Sequence, residues 1–221
     1  SDPETFAACT DTIVRQVEDI GRMVDEFSSF ARMPEPSIGS ENLTRLIREV
    51  VVLERARNAE VTIDLDIPDG DMTLRCDRRQ VTRALTNIIK NAAESVESRL
   101  AADADSGTAG EAGRVAVTVT DARGRGEGDE TVSVIVEDNG IGLPETDRDR
   151  LTEPYVTTRA KGTGLGLAIV RKIMEDHHGD LRLEDRPGGG ARISLVFRDL
   201  EESADTSEKD PMTVATSLRL G

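Results

Sequence analysis

Two short runs in the middle of the chain restrict its fold more than any other feature. Val115, Val117 and Val119 alternate with polar neighbours, and so do Val132, Val134 and Val136. Successive side chains of a strand point to opposite faces, so each run predicts a strand with one apolar side. The polar stretch 121–130 between them suits a hairpin connection. A different period follows from about 78 to 97, where Val81, Ala84, Leu85, Ile88, Ile89, Ala92 and Val96 form the apolar stripe of a helix. A one-sided sheet and one-sided helices bury their apolar faces by stacking, which predicts an α+β sandwich of two layers.

The remaining pattern agrees. Leu43 to Arg57 has helical periodicity, and Val61 to Ile67 alternates as a strand before the turn Pro68-Asp69-Gly70. A short strand near Met72 to Cys76, a helix from about 164 to 177, and strands at 180–185 and 191–197 complete the set. Residues 98–113 are rich in Ala, Asp and Gly and read as a flexible loop, and Ser37 to Ser40 read as a linker. The core must come from Val, Ile, Leu and Ala, because there is no Trp, one Tyr and four Phe.

Charge narrows the partners. Lys and Arg number 28 against 43 Asp and Glu, a net of −15, which repels a nucleic-acid backbone. The few aromatics make no platform for stacked bases. No apolar run approaches the roughly 18 residues of a membrane span. The opening Ser1-Asp2-Pro3-Glu4 is no signal peptide, and Cys9 and Cys76 suit a reducing compartment. The expectation is a cytoplasmic location with neither nucleic acid nor direct membrane contact.

Ahead of the sandwich, Ile13, Val17, Ile20, Val24, Phe27 and Ala31 are spaced 4, 3, 4, 3, 4 within a helix over 10–32. Such a helix can lie on its own domain or form half of a helical bundle, and the 3.5-residue period favours the bundle. Pro34 and Pro36 then end the helix. At the other end, residues 200–221 are polar and read as a mobile tail.

Four motifs carry chemistry. Asn87 and Asn91 lie four apart, on one helical face beside the apolar stripe. They are either two solvated amides or a pair of neutral oxygen donors for Mg²⁺ and phosphate. Asp138-x-Gly140-x-Gly142 follows directly on the Val132–Val136 strand. Its glycines let the backbone approach a flat ligand, and the aspartate can accept a hydrogen bond from an exocyclic amine, although the pattern by itself often marks only a turn. Gly162-Thr163-Gly164-Leu165-Gly166 opens a helix, and a helix N-terminus with exposed N–H groups favours an anion. Lys161 precedes the glycines, so this is no P-loop, and the spacing is not that of a dinucleotide fingerprint. The stretch from Leu143 to Lys161 is long enough for a lid, to which Thr157, Thr158, Arg159 and Lys161 bring donors and positive charge. Finally, Gly188-Gly189-Gly190 turns between the last two strands, and a hairpin of no functional role explains it equally well.

In this order, each at a strand or helix boundary, the motifs resemble the nucleotide-binding domain of the GHKL superfamily of gyrase, Hsp90, histidine kinase and MutL. Asn87-x-x-x-Asn91 resembles its N box, Asp138-x-Gly140-x-Gly142 its G1 box, Gly162-x-Gly164-x-Gly166 its G2 box, and Gly188 to Gly190 a residual G3 turn. Leu151-Thr152-Glu153-Pro154-Tyr155 is similar to the F box, with Thr152 where Phe is usual. The resemblance covers about 41–199 and implies a Bergerat-type fold, a mixed, mostly antiparallel sheet with helices on one face, that binds ATP and Mg²⁺. It implies that Asp138 holds the adenine amine with Gly140 and Gly142 beside it, and that Asn91 holds the metal. It further implies that Asn87 orders metal and phosphates, while Thr157, Thr158, Arg159, Lys161, Gly162, Thr163, Gly164, Leu165 and Gly166 surround the phosphate chain. Asn87, Asn91 and Lys161 are then the catalytic set.

Members that hydrolyse ATP carry a glutamate at the first N-box position. Asn87 stands there, and an amide takes no proton at neutral pH, so transfer to a protein side chain is the better reading. The segment Asp19 to Arg32 is similar to the second helix of a kinase dimerisation domain. With Asn87 to Ser95 it resembles nitrogen-regulation sensor kinases, NtrY more than NtrB. That resemblance implies a partial dimerisation domain at 1–36, a catalytic domain at 37–199, a homodimer through 10–32 and an NtrX-like response regulator. It also implies the cytosolic part of a membrane-anchored sensor. The only histidines, His177 and His178, stand at a helix end and not in the family's acceptor setting. The chain is therefore expected not to phosphorylate itself. A GHKL ATPase, an anti-sigma serine kinase and a degenerate nucleotide-binding or interaction module remain as alternatives.

Overall fold

In the computed structural model, residues 3–107, 110–123, 131–157 and 162–198 are described. The chain runs through α1 (Pro3–Ala31), β1 (Gly39–Asn42), α2 (Leu43–Arg57), β2 (Thr62–Asp66), β3 (Thr73–Cys76) and α3 (Arg78–Ser106). It continues through β4 (Arg114–Asp121), β5 (Thr131–Asp138), a 3-10 turn at Arg148–Arg150, α4 (Gly166–Asp176), β6 (Asp180–Asp185) and β7 (Ala191–Arg198). Five strands form one sheet in the order β2-β4-β5-β7-β6, with β2 parallel to β4 and every other pair antiparallel. β1 and β3 form a separate two-stranded sheet.

The alternating valines set the register. Val117 pairs with Val136, which pairs with Ile193; Val119 pairs with Val134, which pairs with Leu195. These rows make a continuous apolar face, and the buried stripes of α2, α3 and α4 close over it. α3 lies centrally, touching both α2 and α4. Each fully buried Val, Leu or Ile contributes about 1.5–3 kcal/mol of transfer free energy. A core without tryptophan is thus assembled from many medium-sized side chains, with Phe197 its largest. The two-layer α+β arrangement is the one expected.

Three local expectations are corrected. The segment 98–113 is not a loop throughout, because α3 continues to Ser106 and ends on Gly107 in the left-handed region at φ 68°. Ala101, Ala102 and Ala104 are strong helix formers, and Arg99 pairs with Asp103 one turn on at 2.7 Å, so composition that looked loop-like sustains the helix. The linker at 37–40 is partly strand, since Gly39 and Ser40 pair with Cys76 and Arg75. α1 begins at Pro3, earlier than the periodic residues indicated. Residues 124–130 and the tail 200–221 lie outside the described residues.

One buried cluster ties the helices to the segment after α1. Asp77 caps α3, its carboxylate accepting from the N–H groups of Arg79 and Gln80 and also of Ser37 at 2.8 Å. His177, at the end of α4, accepts the Asp77 N–H on Nε2 at 2.9 Å, and its Nδ1 lies 2.7 Å from the Ile173 carbonyl. That geometry fits a neutral ring with the proton on Nδ1. Gln80 donates to the Pro34 carbonyl at 3.0 Å. No helix among the described residues is long and apolar enough to cross a membrane.

Candidate functional site

Asp138 follows the same two-residue alternation as Val132, Val134 and Val136, so its side chain falls on the helix-facing side at the end of β5. Opposite it, in register, is Val115. A carboxylate ending an apolar stripe must meet donors, and it does. The Gly140 N–H donates to Asp138 Oδ1 at 2.8 Å, and the buried Ser95 hydroxyl of α3 lies 3.3 Å from the same oxygen. Gly140 has no room for a side chain, because a Cβ there would stand 2.2 Å from Ser95 Oγ.

Two further groups hold this corner. The buried Asn139 side chain accepts the Arg114 N–H and donates to the Ala112 carbonyl, each at 2.8 Å, while Arg99 Nε donates to the Asn139 carbonyl at 2.5 Å. Arg99 also reaches the Glu111 carbonyl at 2.7 Å, so α3, the loop before β4 and the loop after β5 form one unit. From the other side comes Gly190 at φ 94°, where a Cβ would sit 1.9 Å from the Asp138 carbonyl oxygen. Gly142, at φ 79°, packs against the Gly190 backbone. The triple-glycine turn is therefore not a neutral hairpin end but one wall of this corner.

The second half of the site lies where α4 begins. Gly166, its first residue, faces α3: a Cβ there would stand 3.5 Å from Asn87 Oδ1 and 3.6 Å from Asn91 Nδ2. The two amides and the start of α4 thus share one space. Asn87 donates to the Arg83 carbonyl of its own helix at 2.9 Å, which leaves its Oδ1 directed toward Gly166. Gly164, at φ 69°, packs on the Tyr155 backbone, and the Tyr155 N–H donates to the Gly164 carbonyl at 3.1 Å. Tyr155 itself has φ 67°, and Leu151, four residues earlier, is buried. Thr152, where phenylalanine is usual, accepts from Arg171 of α4 at 2.8 Å, so a polar tie holds the lid to α4 at that point. Leu165 is fully buried, and Thr157 is exposed.

The structure therefore brings Asn87, Asn91 and Gly166 together, sets Gly164 on Tyr155 and Thr163 on Glu26, and separately brings together Asp138, Gly140 and Gly142. Gly162 is described, whereas Thr158, Arg159 and Lys161 lie outside the described residues. Ser95, Arg99, Asn139 and Gly190 were not singled out from the sequence for this corner. Ser95 follows Asn91 by four residues and so shares its face, a signal that was present. Arg99 and Asn139 gave none, since their partners come from three different segments.

Both halves suit a nucleotide. The Asp138 corner is a tightly packed, buried carboxylate flanked by glycines, and the Gly166 end joins a helix N-terminus to two amide oxygens of a kind that suits a hard cation such as Mg²⁺.

Comparison with known proteins agrees with this reading. Residues 76–201 match the family model described as "Histidine kinase-, DNA gyrase B-, and HSP90-like ATPase". The nitrogen regulation protein NtrY of Azorhizobium caulinodans is 50% identical over 97% of this chain and 26% of its own length. The chain thus spans about a quarter of that relative. The catalytic domain of the histidine kinase ThkA is 30% identical, with a TM-score of 0.58 over 74% of this chain and 96% of that one. The complex of ThkA with the response regulator protein TrrA gives a TM-score of 0.66 at 26% identity, over 90% of this chain and 53% of that one. The chain belongs to the histidine kinase-, DNA gyrase B- and HSP90-like ATPase family.

Proposed function

We propose that this chain grips ATP across the two halves of the site and presents its γ-phosphoryl group to a histidine of another helix. The observation that carries the reading is the placement of Asn87 and Asn91 against the first turn of α4. Asp138 would receive the adenine amine, with Gly140 and Gly142 giving close backbone approach. Asn91 would hold Mg²⁺, and Asn87 would orient metal and phosphates. The N–H groups from Gly162 through Thr163, Gly164, Leu165 and Gly166 would receive phosphate oxygens, with Thr157, Thr158, Arg159 and Lys161 of the lid supplying further donors. Bound Mg²⁺ supplies charge neutralisation along the phosphate chain. The protein contributes position and fixed dipoles, which is most of what phosphoryl transfer requires.

Asn87 supports transfer over hydrolysis, because it offers water no base. Neither histidine suits the acceptor role: His177 is buried with both ring nitrogens at backbone groups, and His178 is its exposed neighbour at the helix end. The acceptor we propose is a histidine on a separate helix, followed by relay to an aspartate of an NtrX-like response regulator. The division into 1–36, 37–199 and 200–221, the homodimer through 10–32 and a cytosolic position within a membrane-anchored sensor belong to the same proposal. The outward apolar row of α1, with Ile13, Val17 and Ile20 each about 60% exposed, supports the pairing.

Incubation with γ-labelled ATP and Mg²⁺ tests the reading. Acid-labile label is expected on an added polypeptide bearing the kinase acceptor helix, and not on this chain. Label on this chain, or steady release of phosphate without transfer, contradicts it.

A further inference from the structure

Helix α1 does not merely precede the nucleotide site; it touches it. The Thr163 hydroxyl, inside the glycine loop that opens α4, donates to Glu26 Oε2 at 2.5 Å. The next residue, Phe27, sets its ring 6.2 Å from that of Tyr155 on the lid, at an interplanar angle of 33°. Arg83 of α3 lies within electrostatic reach: burial lowers the pKa of its guanidinium, and the Glu26 carboxylate works against that shift. Arg83 lies one turn before Asn87 and accepts the Asn87 amide on its carbonyl. Glu26 thus stands among the lid, the glycine loop and the N-box helix, the three elements of the phosphate half.

An anion is at home there, close to the start of α4 and beside a partly buried guanidinium. A nucleoside triphosphate is also an anion, and it is proposed to use the same loop. We propose that Glu26 is a built-in stand-in for phosphate: α1 docks through Glu26 and Phe27 onto Thr163 and Tyr155, and a bound triphosphate opposes that docking by like charge. Because coupling between two sites is reciprocal, docked α1 weakens triphosphate binding by the factor with which triphosphate loosens α1. The adenine corner at Asp138 takes no part, so a ligand without phosphates is indifferent to Glu26. This inference rests on the nucleotide reading above and adds its regulation.

Calorimetric titration of the full 221-residue chain and of Glu26→Gln, each with Mg·ATP and with adenosine, tests it. Glutamine keeps the shape and removes the charge. Glu26→Gln should bind Mg·ATP about three- to tenfold more tightly, the size of one partly screened like-charge contact, with the gain shrinking as salt rises. Adenosine affinity should be equal in the two proteins. Equal Mg·ATP affinity with adenosine binding intact overturns the stand-in while leaving the nucleotide site. A gain shared by both ligands overturns it as well, since it would mark a general loosening and not charge. Absence of binding by either ligand to either protein overturns the nucleotide site itself, and this inference with it.

Discussion

The two halves of the site are built on opposite principles. Around Asp138, backbone and side chains leave almost no slack: Gly140 and Gly190 have no space for a methyl group, and Asn139 and Arg99 lock three segments together. Around Gly166 the facing Asn87 and Asn91 are half-buried, a glycine at φ 69° meets a tyrosine at φ 67°, and the segment before α4 is held by polar ties, Thr152 to Arg171 and Arg148 to Asp185. A rigid corner suits the flat, uncharged ring proposed for it, because preorganisation lowers the ordering cost of binding. The triphosphate and metal proposed for the other half change charge and length during a transfer, which calls for a half that opens and closes. Stability should therefore concentrate in the first half and ligand coupling in the second.

Gly190→Ala attacks the rigid half directly and has the largest expected effect. The residue sits at φ 94°, and its new methyl group would stand 1.9 Å from the Asp138 carbonyl oxygen. A loss of about 3 kcal/mol or more is expected in urea unfolding, together with loss of adenosine binding. A variant of unchanged midpoint that still binds adenosine would break the comparison.

Asn91→Ala attacks the other half. Stability should stay within about 0.5 kcal/mol, because a half-buried amide gives way to a better helix former. Mg-dependent ATP affinity should fall at least about tenfold while adenosine binding is kept, as expected on losing an oxygen donor to a hard cation. Equal loss for both ligands would show that the halves are not separable.

Acid sharpens the contrast with a smaller effect. Burial pushes the Asp77 carboxyl up, but the N–H groups of Ser37, Gln80 and Arg79 outweigh it and hold the pKa below the ordinary value. A lowered folded-state pKa means that this stabilisation is complete above the unfolded value near about 4 and is lost as pH falls through the folded one. Asp77 and His177 set α3 against α4, the two helices that carry Asn87, Asn91 and Gly166. Asp77→Asn should therefore narrow the difference in stability between neutral and strongly acidic solution, and leave adenosine binding at neutral pH unchanged. An undiminished acid response would move the effect to other carboxylates.

Much of the fold was legible because its signals are periodic and local. The valine alternation placed β4 and β5 and, carried one step further, put Asp138 on the buried side. The Asn87 to Asn91 spacing and the glycine loop pointed to the residues that meet where α4 begins. What escaped depended on contacts distant in sequence. Arg99 lies in a segment that composition made look like a loop, and Asn139 works by joining two strand ends that no pattern in either strand reveals. Thr152 departed from the family pattern, and only the fold shows Arg171 as its partner. Gly190 was visible as a turn but not as a wall, because a positive φ predicts a bend and not what the bend packs against.

The most direct test is titration of the chain with Mg·ATP beside its Asp138→Asn variant, which turns one carboxylate oxygen into an amide donor facing the adenine amine. Micromolar binding to the chain, lost in the variant, is the predicted result. Binding of equal strength in the two proteins, or to neither, would contradict the account.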